Sequence, residues 1–283
     1  MTSLFVDLHT HTIASDGTQT PTQNVHIAKA VGLAGIAITD HDTVAGLSEA
    51  MEAGRKLEVI IVPGVEISTI SNGQDIHILG YCMDYEDPKF LNRLAELRQV
   101  RDKRNEMMID RLQQLGMKIT LDEVVANLAV GKKPDETLGR PHIAGLLVKK
   151  GYVQSIEEAF EQFLGNQGTA FVNPPRIEPC EAIRWIHEAG GTAVIAHPGI
   201  YQDDALVTEL VQNQGLDGIE AYHSDHTSTD VERYSELARQ YGLFITAGSD
   251  FHGKRNGLTF HGPIGSQKIN IDIIHNLQRR SSK

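Results

Sequence analysis

Cysteine is scarce in this sequence: only Cys82 and Cys180 occur in 283 residues. Two thiols so far apart, neither with a near partner, leave no basis for a disulfide framework or a cysteine zinc site. A reduced cytosolic setting is the simplest reading, so a cytoplasmic location is expected. Positive charge is also short, with 26 Lys and Arg against 37 Asp and Glu and a net charge of -11. No global basic field exists to hold duplex nucleic acid. No apolar run is long enough to cross a bilayer, and no basic flank leads into an apolar stretch at the start, so no membrane partner is expected. With 40% hydrophobic residues the chain can bury a sizeable core, as one large domain or a domain with an insertion.

Histidine, by contrast, is plentiful, with 13 in the chain. Several short, β-branched-rich runs read as strands, and each ends in or carries polar residues suited to metal binding. Run 4–8 leads to His9 and His11, run 35–39 to Asp40 and His41, and run 59–65 to Glu66. Run 76–80 carries His77, run 192–196 leads to His197, run 218–221 to Tyr222 and His223, and run 244–249 to Asp250 and His252. Helical patterns at 22–31, 44–57, 180–189 and 230–241 fall between them with ordinary start and stop signals. Alternating strands and helices imply parallel strands with covering helices. About seven strands, with polar residues gathered at their C-terminal ends, predict an α/β fold related to the eight-stranded (β/α) barrel, whose active sites lie on that face.

The alternation breaks between about 87 and 172. A long helix is predicted over 90–115, followed by helices over 121–128, 140–150 and 156–165. This stretch, 87–172, reads as a helical insertion or lid domain over a barrel built from 1–86 and 173–283.

His9 and His11 are two apart on a strand end, so their side chains point the same way, and Asp250 and His252 repeat that geometry. One such histidine alone reads as a hydrogen-bonded, half-buried residue. Six histidines and three carboxylates, nearly all at strand ends, read as a site for divalent metal, since imidazole nitrogen and carboxylate oxygen suit zinc, manganese and iron.

The segments Asp7-Leu-His9-Thr-His11, Thr39-Asp40-His41, Glu66, His77, His197-Pro198 and Asp250-Phe-His252 together resemble the polymerase and histidinol phosphatase (PHP) family. The likeness extends over essentially the whole chain and is closest to the bacterial small-nucleotide phosphoesterases. It implies a distorted seven-stranded, TIM-like barrel with a helical insertion and a trinuclear site for two or three divalent metal ions. Carried over, His9, His11, Glu66 and Asp250 would hold the first ion. Glu66, His77 and His197 would hold the second, and Asp16, His41 and His252 the third. Some members have histidine where this chain has Asp16, and a carboxylate there favours manganese or iron over zinc. The implied reaction is hydrolysis of phosphate monoesters by metal-activated water, on AMP, 3′,5′-bisphosphonucleotides or short oligonucleotides.

Other residues carry competing readings. Asp7 either orients a ligand histidine or closes the barrel floor, Asp40 and Asp42 support the site or cap turns, and Ser249 lacks a nucleophile-elbow pattern and reads as packed. His223 and His226 are candidate acids for the leaving oxygen, although 226–230 is also rich in helix-capping residues. Arg98, Arg101 and Arg104 form a stripe on one helix face, read either as solvated or as meeting substrate phosphate. Arg140 and His142, in Arg140-Pro-His142, are candidate phosphate contacts, against the alternative of a proline-led helix start. Related phosphoesterases often have a basic residue where this chain has Ile200. The rivals are a histidinol-phosphate or phosphotyrosine phosphatase, an amide hydrolase on a similar barrel, and a non-catalytic metal-binding PHP domain.

Overall fold

The computed structural model describes residues 4–128, 131–255 and 258–278, which include every candidate site residue named above. The fold is mixed α/β around a nearly closed, barrel-like sheet. In chain order it runs β1 (Phe5–Asp7), α1 (Pro21–Ala30), β2 (Gly35–Ile38), α2 (Leu47–Leu57), β3 (Ile60–Ser71), β4 (Gln74–Tyr81) and α3 (Pro88–Gln114). Then come α4 (Leu121–Ala126), α5 (Arg140–Lys149), α6 (Ile156–Ala159) with a π-helical turn at Phe160–Leu164, and α7 (Pro179–Glu188). The rest is β5 (Thr192–Ile195), α8 (Pro198–Tyr201), α9 (Asp204–Asn213), β6 (Gly218–His223), α10 (Ser228–Tyr241) and β7 (Phe244–Gly248), the short β8 (Lys254–Arg255) and β9 (Leu258–Thr259), β10 (Ile269–Asn270) and α11 (Ile273–Gln278).

Local chemistry sets many of these boundaries. Thr20, Thr120 and Thr227 cap α1, α4 and α10 with capping boxes, Pro opens α1, α3, α5 and α7, and Gly242 ends α10 in the left-handed conformation.

The large sheet has eight strands in the order β10-β1-β2-β3-β4-β5-β6-β7. The eighth, beyond the seven expected, is the two-residue β10, antiparallel to β1. Leu8 N–H donates to Ala247 O at 2.9 Å, Asp250 N–H to His9 O at 2.9 Å and His11 N–H to Phe251 O at 2.9 Å, which joins the end of β7 to the end of β1. β1, β2, β3, β5, β6 and β7 run one way and β4 runs the other. Parallel strands throughout are therefore not observed. The cause is the tight Asn72-Gly73 turn, both residues with positive φ, which returns the chain as a hairpin instead of through a helix.

Val6, Leu8, Ala37, Val62, Leu79, Tyr81, Val194 and Ala196 fill the barrel, and Ile273, Ile274 and Leu277 of α11 close its floor. A second cluster lies between barrel and outer helices. A third draws its buried members from 108–172, including Met108, Leu112, Ile143, Leu147 and Leu164. Helix α3 joins two of these cores: Phe90, Leu94 and Leu97 pack with the barrel's outer layer, and Met108, Ile109 and Leu112 pack in the third. Its middle, with Arg101, Arg104 and Asn105, is buried between them. No helix among the described residues is long and apolar enough to cross a membrane.

Candidate metal centre

The strand ends bring the predicted imidazoles and carboxylates to one face. His9 and His11 leave β1 on the same side, while Thr10 between them turns away and donates to Ala37 O at 2.6 Å. Their Nε2 atoms are 3.2 Å apart. His9 Nε2 is 3.5 Å from Glu66 Oε2 and 3.3 Å from Asp250 Oδ1, and His11 Nε2 is 3.2 Å from each of the same oxygens. A tetrahedron of ligands on bonds of about 2.1 Å has edges of roughly 3.4 Å. These separations match it, and Glu66 Oε2 and Asp250 Oδ1 are buried with no well-formed hydrogen bond. The donor set therefore fits a divalent cation, in the four-residue set that the resemblance implied.

Glu66 has a second face. Its Oε1 is 2.8 Å from His77 Nδ1 and 3.1 Å from His197 Nε2, while Oε2 is also 3.0 Å from His41 Nδ1. One carboxylate thus stands between two groups of imidazoles. A third group forms around Asp16, with Oδ1 3.2 Å from His252 Nε2 and Oδ2 3.8 Å from His41 Nε2, and His11 adjoins it. His252 Nδ1 donates to Asp250 O at 2.8 Å, which leaves Nε2 to face Asp16. Asp250 and His197 hold positive φ, 54° and 30°, without being glycine, and such strain concentrates at functional sites.

The supporting residues sort themselves by contact. Asp7 accepts from the N–H groups of His9, Ser249 and Gly265 at 3.3, 3.0 and 2.8 Å, fastening β1 to the chain after β7, and burial pushes its carboxyl up to about 6. It touches no imidazole. Asp40 accepts from Thr12 N–H and hydroxyl and from Ser15 Oγ at 2.6–2.7 Å, which shapes the loop that presents Asp16. Ser249 is buried, its hydroxyl 3.4 Å from His9 O.

Three further candidate histidines differ in what they contact. His226 donates through Nδ1 to Ala221 O at 2.9 Å and accepts at Nε2 from Gly199 N–H at 3.0 Å. Both ring nitrogens brace backbone. His142 Nδ1 accepts Gly139 N–H at 3.0 Å, capping its own helix, and its ring lines a separate cavity of about 190 Å³. His223 does lie in the cluster. Its Nδ1 accepts Asp225 N–H at 3.1 Å, so its Nε2 carries the hydrogen that faces Asp250 Oδ2 at 3.3 Å. That contact steadies the outer oxygen of Asp250.

The cluster opens on a cavity of about 500 Å³ that is also lined by Arg101, Arg104, Arg140 and Arg176. Arg98 lies outside this lining, bonded to Asp42 O and Asp135. Arg101 grips Asp42 Oδ2 through Nε and Nη2 at 3.0 and 2.6 Å. Arg140 and Arg176 share Asp75, and Arg140 also lies over the rings of Phe160 and Phe171. Arg104 is different: it is 4% exposed, and its Nε and Nη2 have no hydrogen-bond partner. Burial, with three arginines nearby, holds its guanidinium well below the usual range. Three of the four guanidinium groups are paired, Arg101 with Asp42 and Arg140 and Arg176 with Asp75, and the cavity is also lined by the carboxylates of Asp16, Glu66 and Asp250; Glu157 is exposed. Ile200 is 46% exposed on the cavity wall and brings no charge.

Sequence reasoning did not single out Glu220, Arg176 or His261. Glu220 binds His9 Nδ1 at 3.0 Å, and its signal was a lone acid inside the apolar run 218–221. His261 pairs with Asp225 and sits 3.5 Å from Asp250 Oδ2. Neither it nor Arg176 carries a spacing signal.

A sequence profile of the PHP domain matches residues 7–134. The chain is 37% identical over 87% of its length to a 5′-3′ exoribonuclease of Haemophilus influenzae, spanning 89% of that protein. This chain belongs to the PHP family. It is 34% identical to a phosphoribosyl 1,2-cyclic phosphate 1,2-diphosphodiesterase of Eggerthella lenta, over 88% of the chain and 94% of the relative. It is 32% identical to a 3′,5′-nucleoside bisphosphate phosphatase of Chromobacterium violaceum, over 89% and 88%. A solved structure described as a metal-dependent phosphoesterase from Bifidobacterium adolescentis superposes with a TM-score of 0.88 at 33% identity, covering 97% of this chain and 96% of that one. The PHP protein described here is a metal-dependent phosphoesterase with His, Asp and Glu clusters able to bind metal.

Proposed function

We propose that this PHP enzyme hydrolyses phosphate monoesters of small nucleotides and prefers 3′,5′-bisphosphonucleotides to AMP. The observation that carries the reading is Arg104, a buried guanidinium without a hydrogen-bond partner in the same cavity as Glu66, His77 and Asp250. The ester to be cut would meet the metal cluster, and a second phosphate would meet Arg104. A site that leaves a buried cation unanswered favours the ligand that answers it. The apolar side chains Ile156, Phe160 and Phe260 on the same cavity suit a nucleoside between the two phosphates.

Two or three divalent ions, manganese or iron before zinc, would be held by His9, His11, Glu66 and Asp250, by Glu66, His77 and His197, and by Asp16, His41 and His252. When bound they lower the pKa of water and neutralise the phosphoryl oxygens. The chain's own part is to orient: Glu66 spans two imidazole groups, His223 and Glu220 hold Asp250 and His9, and the arginines fix the far phosphate. Residues 87–172 act as the helical insertion that supplies Arg101, Arg104 and Arg140 to the barrel mouth, with a core of their own.

The test follows phosphate release from adenosine 3′,5′-bisphosphate, AMP, histidinol phosphate, phosphotyrosine and a short 5′-phosphorylated oligoribonucleotide by manganese-loaded protein. The bisphosphate is expected to turn over with the highest kcat/KM. Faster release from histidinol phosphate or phosphotyrosine would overturn the nucleotide reading. Nucleotide release from the oligomer at the highest kcat/KM would favour exonuclease action, the activity named for the Haemophilus influenzae relative.

A further inference from the structure

We infer that Glu220 is a positioning residue that ties two ligand histidines together, holding the ring of His9 and the backbone of His197 at once. The inference rests on the metal-centre reading above. Glu220 is the third residue of β6, and its carboxylate points into the barrel with no solvent exposure. A carboxylate in that position is costly unless its oxygens are answered. Oε1 and Oε2 are 3.0 and 3.1 Å from His9 Nδ1, and Oε2 also accepts His197 N–H at 2.9 Å.

Each contact has a consequence at the cluster. With Nδ1 donating to Glu220, the free lone pair of His9 lies on Nε2, the atom that faces Glu66 and Asp250. His197 is held at φ 30° and ψ 54°, a left-handed conformation that is strained for a non-glycine residue. The bond from its N–H to Glu220 is one tie that keeps it there, with Nε2 aimed at Glu66 Oε1. One buried carboxylate therefore sets a donor on each side of Glu66.

The packing around the pair has the same logic. Gly248 at the end of β7 has no unusual φ, yet a Cβ there would lie 2.1 Å from His9 Cβ and 2.4 Å from Glu220 Oε1. Glycine is needed because the His9–Glu220 pair passes directly beneath it. His9, Glu220 and His223 also bring ligand atoms within 4.8 Å of one another, but they do not make another metal site. His9 Nδ1 already donates to Glu220, and both nitrogens of His223 are engaged by Asp225 and Asp250.

The experiment measures Mn2+ binding to metal-free full-length protein by calorimetry, in wild type, Glu220→Gln and Glu220→Ala. Glutamine keeps the shape and one acceptor, so that variant tests the contact in a folded protein. Affinity should fall roughly 10–100-fold, the usual loss for a group that orients a ligand, and less in Gln than in Ala. In parallel, the His9 Nδ1–H proton of metal-free protein should be hydrogen-bonded and slow to exchange with water in wild type, and should lose that protection in Glu220→Ala. A purely structural role would lower Tm and leave both readouts alone. Mn2+ affinity within twofold of wild type in folded Glu220→Gln, or an unchanged His9 Nδ1–H exchange rate in Glu220→Ala, would overturn the inference. A wild type that binds no Mn2+ would instead sink the metal-centre reading, and the exchange rate would still test the Glu220 contact.

Discussion

Glu66→Ala should lower kcat for phosphate release by about 10³-fold, the loss expected when several kcal/mol of metal-derived stabilisation disappears. No other carboxylate in the cluster spans the same groups. Its Oε2 lies within 3.0–3.5 Å of His9, His11 and His41, and its Oε1 within 2.8–3.1 Å of His77 and His197. Removing it strips a shared oxygen ligand from two groups at once and leaves their imidazoles facing each other without an anion between them. Bound metal should fall along with the rate, because the first and second positions both lose a donor. The check is kcat at saturating substrate with metal content measured on the same sample. A variant that keeps a full rate would mean that catalysis does not depend on this bridge.

Arg104→Met should act in opposite directions on stability and on substrate. In the free protein the guanidinium is buried, short of partners and crowded by Arg101, Arg140 and Arg176. Replacing buried charge with a well-packed apolar chain is often stabilising by about 1–4 kcal/mol, so the ligand-free variant should melt higher than wild type. With a second phosphate present the balance reverses. Truncating one partner of a buried charge pair costs about 2–5 kcal/mol, so KM for the bisphosphate should rise roughly 30-fold or more, with the effect larger on KM than on kcat. Added inorganic phosphate should raise the melting temperature of wild type more than that of the variant, since a ligand stabilises only the state that binds it. Thermal melts with and without phosphate, beside a KM series, check both halves. An unchanged KM, or a lower melting temperature in the free variant, would remove Arg104 from the proposed role.

Much of this centre could be read before any fold was known, and the reasons are local. His9 with His11, and Asp250 with His252, are two apart at strand ends, so the period of a strand alone puts each pair on one side. His41 and His197 each follow an apolar parallel strand, and Glu66 follows the apolar run 60–65 within β3, which delivers them to the same rim. What escaped depends on distances that spacing does not encode. Glu220 matters because β6 lies close to His9 across the closed barrel, a contact 211 residues apart in sequence. Arg98, Arg101 and Arg104 share a helix face, yet their partners separate them: Arg98 and Arg101 meet Asp42, and Arg104, buried beside Arg101, has Nε and Nη2 unbonded. The reversed β4 was written in Asn72-Gly73, a short-range turn signal that the strand-helix alternation masked. His226, a candidate acid, and His142, a candidate phosphate contact, each have a ring nitrogen bonded to nearby backbone, which sequence spacing does not encode.

The most direct test of the account is to strip the protein with a chelator, add Mn2+ back in steps, and follow ion occupancy and phosphate release from adenosine 3′,5′-bisphosphate in the same samples. The account predicts no release from the stripped protein and a rate that returns as the positions around Glu66 fill. Full activity in the stripped protein, or filled positions with no release, would contradict it.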